Sequence, residues 1–367
     1  MTQVLCIAGA RPNFMKIAPV MAALAEAGIA AQLLHAGQHY DAAMSDGFFA
    51  DLGIPPPDHH LEVGSGSHAV QTAEVMKRFE PVLENVQPRA VLVVGDVNST
   101  LACALVAAKR GVRVIHVEAG LRSYDRSMPE EINRVLTDQI SDLLFTTEKS
   151  ALANLVREGI DPARVEFVGN VMIDTLYRNL ARAVPAAQTL GTALPQYAVL
   201  TLHRPSNVDD RDTLAALLDV VGEINRRLPV VLPLHPRTRA NIEKFGFTAR
   251  LDGLHLLPPV GYLEMLGLMR DARLVLTDSG GIQEETTALG VPCLTLRENT
   301  ERPITLSEGT NTLVGPDPTA IRAAFAEVMA GGGKAGRIPE HWDGRAAMRI
   351  AYTLKGWLPG QKGRRSA

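Results

Sequence analysis

QVLCIAGARPNFMKIAPVMAALAEAGIAAQLLHAG, residues 3–37, decides the fold. It opens and closes on short apolar runs, QVLCIAGA and AAQLLHAG, and between them residues 14–27 place apolar side chains at helical spacing. A strand, a helix and a second strand in that order form a βαβ unit, and apolar runs without polar alternation belong to strands covered on both faces.

The rhythm returns in RAVLVVGD, VRVIHVEAG, DLLFTTE and VEFVGN, each followed by a helix candidate. It breaks around residues 165–196, where AVPAAQTLGTALPQ reads as connection rather than core. A second series then runs through YAVLTLHR, VVLPLHP, LHLLPPV, RLVLTDSGG and PCLTLRE, with helices such as DTLAALLDVVGEINRR between them. The expected class is α/β, with two Rossmann-like parallel-sheet domains facing a central cleft, over residues 1–170 and 171–345. A last helix, 344–358, and the tail to 367, read as frayed beyond the helix, are expected to pack back on the first domain.

With 367 residues and 46% apolar content, the chain is long enough for two cores. A formal net charge of −3 speaks against nucleic acid as the main partner, because phosphate-backbone binding needs a cationic excess. Cys6, Cys103 and Cys293 lie far apart in apolar runs, which suggests neither disulfides nor metal ligation and fits a reducing cytoplasm. The opening MTQVLCIAGARPNF carries no basic leader, so it reads as a strand rather than a signal peptide or membrane span.

Open parallel sheets bind ligands beyond the carboxyl ends of their strands. Those ends are polar here: Gly9, Arg11 and Lys16, then Asp96, then Glu118 and Arg122, and later His203, Arg204, His235, Arg237, Asp278 and Ser279. In LTDSGGIQEE, residues 276–285, the turn Ser279-Gly280-Gly281 leads into a helix and exposes backbone amides at its positive end, an anion seat. Glu285, a turn further in, is placed to accept hydrogen bonds from a ribose diol, whereas Glu284 favours the helix dipole. The alternative is an acidic first turn that merely offsets the dipole. GSGSHA, residues 64–69, matches a dinucleotide glycine pattern but follows PPPDHHLEV rather than a buried strand, so nicotinamide binding is discounted. His59 and His60 read as part of a proline-rich solvated loop, and no metal is expected.

GARPNFMK, GQHYD, GDVNST, HVEAGLRS, MPEEINR, FVGN, HRPSNVD, DSGGIQEE and TERP occur in order over about residues 3–315. In these motifs the chain resembles the non-hydrolysing UDP-N-acetylglucosamine 2-epimerases. The resemblance implies a GT-B-type fold and interconversion of UDP-N-acetylglucosamine and UDP-N-acetylmannosamine by elimination of UDP to 2-acetamidoglucal and readdition, with no cofactor, in a homodimer. It implies catalytic roles for Asp96, Glu118, Glu130 and His203 and substrate binding by Arg11, Lys16, Arg134, His235, Val260, Met265, Ser279, Gly280, Gly281, Glu285 and Arg302. Because His203 belongs to the second domain, catalysis would require the domains to close. Uracil would rest near Val260 and Met265.

Elimination removes a barely acidic C2 hydrogen as the anomeric diphosphate departs, so the leaving group needs cations and fixed dipoles. Arg11, Lys16, Arg302 and the glycine-turn amides would supply them. Repulsion among Asp96, Glu118 and Glu130 would raise at least one carboxyl into a range suited to proton transfer. Each residue has a structural alternative: Asp96 could cap the helix beginning near Asn98, Arg134 could pair with Glu130, His235 could be a satisfied strand-end histidine, and Arg11 could serve a salt bridge.

Some relatives bind a second substrate molecule as activator through a QHxQ-like stretch. Here it reads Gln38-His39-Tyr40-Asp41, so weak or absent activation is expected. A sister activity, 2-epimerisation of a UDP-diacetamido-uronic acid, would need an extra cation such as Arg122, Arg126 or Arg204. A GT-B glycosyltransferase or a nucleotide-sugar sensor has no need for the three carboxylates together.

Overall fold

The structure, a computed structural model, describes residues 2–37, 53–331 and 333–360. Gln38, His39, Tyr40, Asp41 and the side chain of Arg11 lie outside the described residues. The chain divides into two compact units, Met1–Arg178 with Glu340–Ala367, and Asn179–Pro339.

In the first unit the elements are β1 (Val4–Ala8), α1 (Arg11–Glu26), β2 (Ala31–Gly37), β3 (His59–Val63), α2 (His68–Val86), β4 (Ala90–Val94), α3 (Asn98–Lys109), β5 (Arg113–Ala119), α4 (Pro129–Ile140), β6 (Leu143–Thr146), α5 (Lys149–Arg157), β7 (Val165–Phe167) and α6 (Val171–Leu180). Their strands form one parallel sheet in the order β3-β2-β1-β4-β5-β6-β7. Every residue of β1, β4 and β5 is buried, as helix layers on both faces require. The first α/β turn is drawn tight at Gly9, where a Cβ would meet the Ser99 hydroxyl at 1.7 Å, so only glycine fits. Asn13 fixes the same turn: its Oδ1 accepts from the Gly9 and Ala10 amides at 3.2 and 3.0 Å, and its Nδ2 donates to the Val94 carbonyl at 3.1 Å.

His59 and His60 correct the loop reading, because they open the edge strand β3. HHLEV alternates, with Leu61 and Val63 buried and His60 and Glu62 exposed, a pattern five residues long that the preceding prolines disguise. GSGSHA therefore does stand between a strand and a helix, with Ser67 capping α2 by accepting from the Val70 amide at 3.3 Å. It follows the edge strand β3, whereas the reversal of strand order where dinucleotides bind lies between β1 and β4.

The second unit contains α7 (Ala186–Leu190), β8 (Ala198–Thr201), α8 (Pro205–Val208), α9 (Arg211–Asn225), β9 (Val230–Pro233), α10 (Pro236–Phe245), β10 (His255–Leu257), α11 (Tyr262–Arg270), β11 (Leu274–Thr277), α12 (Gly280–Leu289), β12 (Cys293–Thr295), α13 (Pro303–Ser307), β13 (Asn311–Leu313) and α14 (Pro318–Met329). Its six strands are again parallel, ordered β10-β9-β8-β11-β12-β13. The stretch expected to be connection contributes to the core: Ala186 of α7 is buried with Tyr197 and Leu268.

The last helix, α15 (Ala346–Gly360), belongs to the first unit and contacts α1. Asp174 of α6 accepts from the Ala346 and Ala347 amides at 3.1 and 2.7 Å, capping α15 from another element. At its far end Arg113 donates to the Trp357 and Leu358 carbonyls at 3.2 and 3.0 Å and lies 4.0 Å above the Trp357 ring. The order of each sheet reverses once, between β1 and β4 and between β8 and β11, so ligand crevices are expected past the carboxyl ends of those four strands.

Candidate active site

Asp96 follows the carboxyl end of β4. It does not cap α3, whose N-cap is Val97 and which has no side-chain cap. Instead Arg134 of α4 donates to it from Nε at 3.1 Å and from Nη2 at 2.5 Å. Arg134 reaches Glu131 with its other nitrogen at 2.6 Å, so its acidic partner on α4 is Glu131 rather than Glu130. Glu131 is buried and committed further, accepting from the Ser123 and Tyr124 amides at 3.0 and 2.9 Å. The half-buried Glu130 instead lines a cavity with Gly9, His68, Asn98 and Asn133. Asn133 ties that cavity to the Asp96 turn by donating to the Asp96 carbonyl at 2.9 Å.

Glu118 is buried, and the Lys16 ammonium lies 2.5 Å from its carboxylate. Its backbone is left-handed, φ +75°, at the irregularity in β5 between Val117 and Ala119. A non-glycine residue held there carries local strain, a recurrent property of functional positions. Two of the three acids thus face cations of their own, whereas mutual repulsion was the expectation.

In the second unit His203 follows β8 and Asp278 follows β11. The His203 Nδ1 lies 2.7 Å from the fully buried Asp278 carboxylate, which also accepts from the His203 and Arg204 amides at 3.0 and 2.9 Å. Burial disfavours the Asp278 anion, but these bonds and the His203 charge outweigh it and hold the carboxyl below its ordinary range. The His203 ring therefore donates through Nδ1 and leaves Nε2 outward. His235, whose ring centroid is 5.7 Å away, uses Nδ1 to accept from the Arg237 amide at 3.2 Å and so caps α10. Burial first, and then the charge of His203, push His235 below the usual histidine range.

Ser279 is the N-cap of α12, and Gly280 and Gly281 are its first two residues, whose amides have no intrahelical partner. The acids come later than a first-turn reading requires. Glu284 is buried with Arg302 Nε 2.8 Å from it, which replaces the expected dipole role by an ion pair and places Arg302 in a buried charge cluster. Beside it Glu301 meets Arg297 at 2.7 Å; despite burial, the Arg302 and Arg297 charges hold Glu301 far below the carboxylate range. Glu285 has the opposite environment. Burial and the neighbouring Glu284 raise it to about 7, against the opposing effect of the Tyr262 hydroxyl, which donates to it at 3.0 Å. Val260 and Met265 are half-buried against the apolar cluster around Tyr197.

Of the cations considered for a uronic acid, Arg122 is buried between Asp138 at 2.7 Å and Glu158 at 2.8 Å. Arg126 is exposed, and Arg204 donates from Nε to the Asp278 carbonyl at 3.1 Å. Sequence reasoning gave no role to Asp278 or Tyr262. Asp278 carried a signal, a carboxylate at a strand end beside the glycine turn; Tyr262 carried none, because its meeting with Glu285 depends on how α11 packs against α12.

The profile of the family described as UDP-N-acetylglucosamine 2-epimerase matches residues 22–355. The chain is 42% identical over 347 residues to a UDP-N-acetylglucosamine 2-epimerase of Methanococcus maripaludis, covering 92% of each chain. It is 45% identical to a UDP-2,3-diacetamido-2,3-dideoxy-D-glucuronate 2-epimerase of Pseudomonas aeruginosa, covering 96% of this chain and 99% of that one. The crystal structure of the Methanocaldococcus jannaschii UDP-GlcNAc 2-epimerase in complex with UDP-GlcNAc and UDP is similar at a TM-score of 0.89 and 40% identity, covering 97% of this chain and 100% of that one. The fold is accordingly of the GT-B type. On the matching profile, the similar proteins and the parallel sheets, the chain belongs to the UDP-N-acetylglucosamine 2-epimerase family.

Proposed function

We propose that this isomerase interconverts UDP-N-acetylglucosamine and UDP-N-acetylmannosamine without net hydrolysis, by eliminating UDP to 2-acetamidoglucal and adding it back after C2 is reprotonated on the other face. The observation that carries the reading is the set of acids at the ends of β4 and β5 and the start of α4, two of them held by Arg134 and Lys16. Removing and returning a proton at C2 on either face needs positioned acids and bases of this kind. The α12 amides favour the diphosphate as charge develops on it, Glu285 accepts from the ribose diol, and the Nε2 edge of His203 is available for proton transfer. No step requires a cofactor.

Incubation of the full chain with UDP-N-acetylglucosamine in deuterated water tests this. Deuterium at C2 of both epimers is expected; an unlabelled substrate would sink it in favour of a transferase or a sensor. A second reading, that the sugar is a UDP-diacetamido-uronic acid, is favoured by the 45% identity to the Pseudomonas enzyme and by the exposed Arg126. Running that substrate in parallel separates the two by their relative rates of C2 labelling.

We also propose a cytoplasmic homodimer. Three buried free cysteines support the reducing compartment, and no helix among the described residues is long and apolar enough to cross a membrane. Exposed Ile132 and Leu136 on α4 and exposed Leu152 and Val156 on α5 support self-association. Light scattering of wild type and Leu136→Lys tests the dimer, with a monomeric variant expected and a wild-type monomer contradicting it.

A further inference from the structure

His116, inside β5, has no solvent exposure, and both its ring nitrogens face oxygen acceptors. Nδ1 lies 2.7 Å from the Asp138 carboxylate and Nε2 lies 2.9 Å from the Gly95 carbonyl. Asp138 has no solvent exposure either, and its second oxygen accepts from the Gly120 amide at 3.1 Å and meets Arg122 at 2.7 Å. Such an Asp138 is an acceptor only, and a carbonyl oxygen never donates, so His116 must donate from both nitrogens as an imidazolium. His116, Asp138, Arg122 and Glu158 then form a chain of alternating charge across β5, α4 and α5.

The groups this chain holds stand beside the reacting acids. Gly95 immediately precedes Asp96, and Gly120 follows Glu118 by two residues. Along α4, Glu130, Arg134 and Asp138 recur every fourth residue and so share one helix face. Glu130 lines the cavity, Arg134 holds Asp96, and Asp138 accepts from the Gly120 amide near Glu118 and, through His116, is tied to the Gly95 carbonyl beside Asp96. A buried ion pair is poor value as stability alone, since apolar residues of similar volume serve as well.

We propose that His116 and Asp138 are positioning residues, an imidazolium–carboxylate pair through which one face of α4 sets the strand ends bearing Asp96 and Glu118 in register with Glu130. The proposal rests on the epimerase reading for the importance of those three acids. Its benefit lies in the transition state, where small displacements of reacting groups are costly, rather than in substrate affinity.

The test is made on the full-length chain. In His116→Gln and Asp138→Asn, kcat for C2 deuterium incorporation is expected to fall roughly 100-fold with KM within about twofold of wild type. UDP binding by calorimetry should be unchanged, because neither variant alters a residue proposed to touch the nucleotide. Nitrogen-15 NMR of the wild type, which needs no variant to fold, should show both His116 ring nitrogens protonated. A bare ring nitrogen on His116, or folded variants with kcat within about threefold of wild type, would overturn the inference. Wild-type exchange at C2 with unaffected variants overturns the inference alone, whereas absence of C2 exchange in wild type overturns the functional reading and the positioning role with it.

Discussion

The Lys16 ammonium, from the second turn of α1, and the Glu118 carboxylate, near the carboxyl end of β5, lie 2.5 Å apart in a buried pair, and Glu118 is held there in a left-handed backbone conformation. Removing Lys16 takes the ammonium from a carboxylate that is buried away from water. Lys16→Met is therefore expected to lose about 3–5 kcal/mol of stability. The double variant Lys16→Met/Glu118→Gln should regain much of that in denaturant unfolding while showing no C2 exchange; restored exchange would remove Glu118 from the chemistry.

Asp278 governs which nitrogen of His203 is presented outward. Asp278→Asn keeps the size of the side chain but replaces an anion that accepts from Nδ1 and two amides. A drop in kcat of roughly 100-fold or more, with KM little changed, is the expected outcome. Steady-state rates with UDP-N-acetylglucosamine check it.

Glu285 makes nucleotide binding depend on pH. Burial lifts its carboxyl to about 7, and a ribose diol donates best to the ionised form, so UDP affinity should strengthen as pH rises through neutrality and weaken below it. In Tyr262→Phe the carboxyl loses the bond that opposes burial, so the midpoint should move to higher pH, and affinity at neutral pH should fall by about 0.5–1.5 kcal/mol. Calorimetric titration with UDP at several pH values reads both effects, and a pH-independent wild type would remove Glu285 from ribose binding.

Asp174 gives stability a pH dependence of its own. Burial raises its carboxyl from 3.8 to about 6, so the folded chain binds the proton more tightly than the unfolded chain does. The stabilisation is fully present below the unfolded value and is lost as pH rises through the folded one. Relative to Asp174→Asn, wild type should lose up to about 3 kcal/mol between roughly pH 4 and pH 7. Denaturant unfolding of both proteins at the two pH values measures it.

Much of this was readable from the chain itself. The apolar runs that became β1, β4, β5, β8 and β11 lack alternation because both sheet faces are covered, and fully buried parallel strands are among the clearest sequence signals. β3 and α7 were not legible. HHLEV is a five-residue edge strand whose alternation is brief, and Ala186–Leu190 draws its burial from tertiary neighbours rather than from its own pattern. At the site, residue types at strand ends were visible but their partners were not. Whether Arg134 meets Glu130 or Glu131 depends on the rotation of α4, and whether Arg302 faces a ligand or Glu284 depends on the seating of α12. Spacing specifies neither.

The return of α15 to the first unit, with Asp174 at one end and Arg113 at the other, makes that unit discontinuous in sequence. During synthesis all seven strands of the sheet bearing Asp96 and Glu118 are translated before Asn179–Pro339, whereas α15, which packs back on that unit, follows it. A chain truncated before Ala346 would leave the Asp174 carboxylate and the Arg113 guanidinium without their α15 partners. The unit carrying the acids is therefore the one that completes its packing only after the other unit has been made.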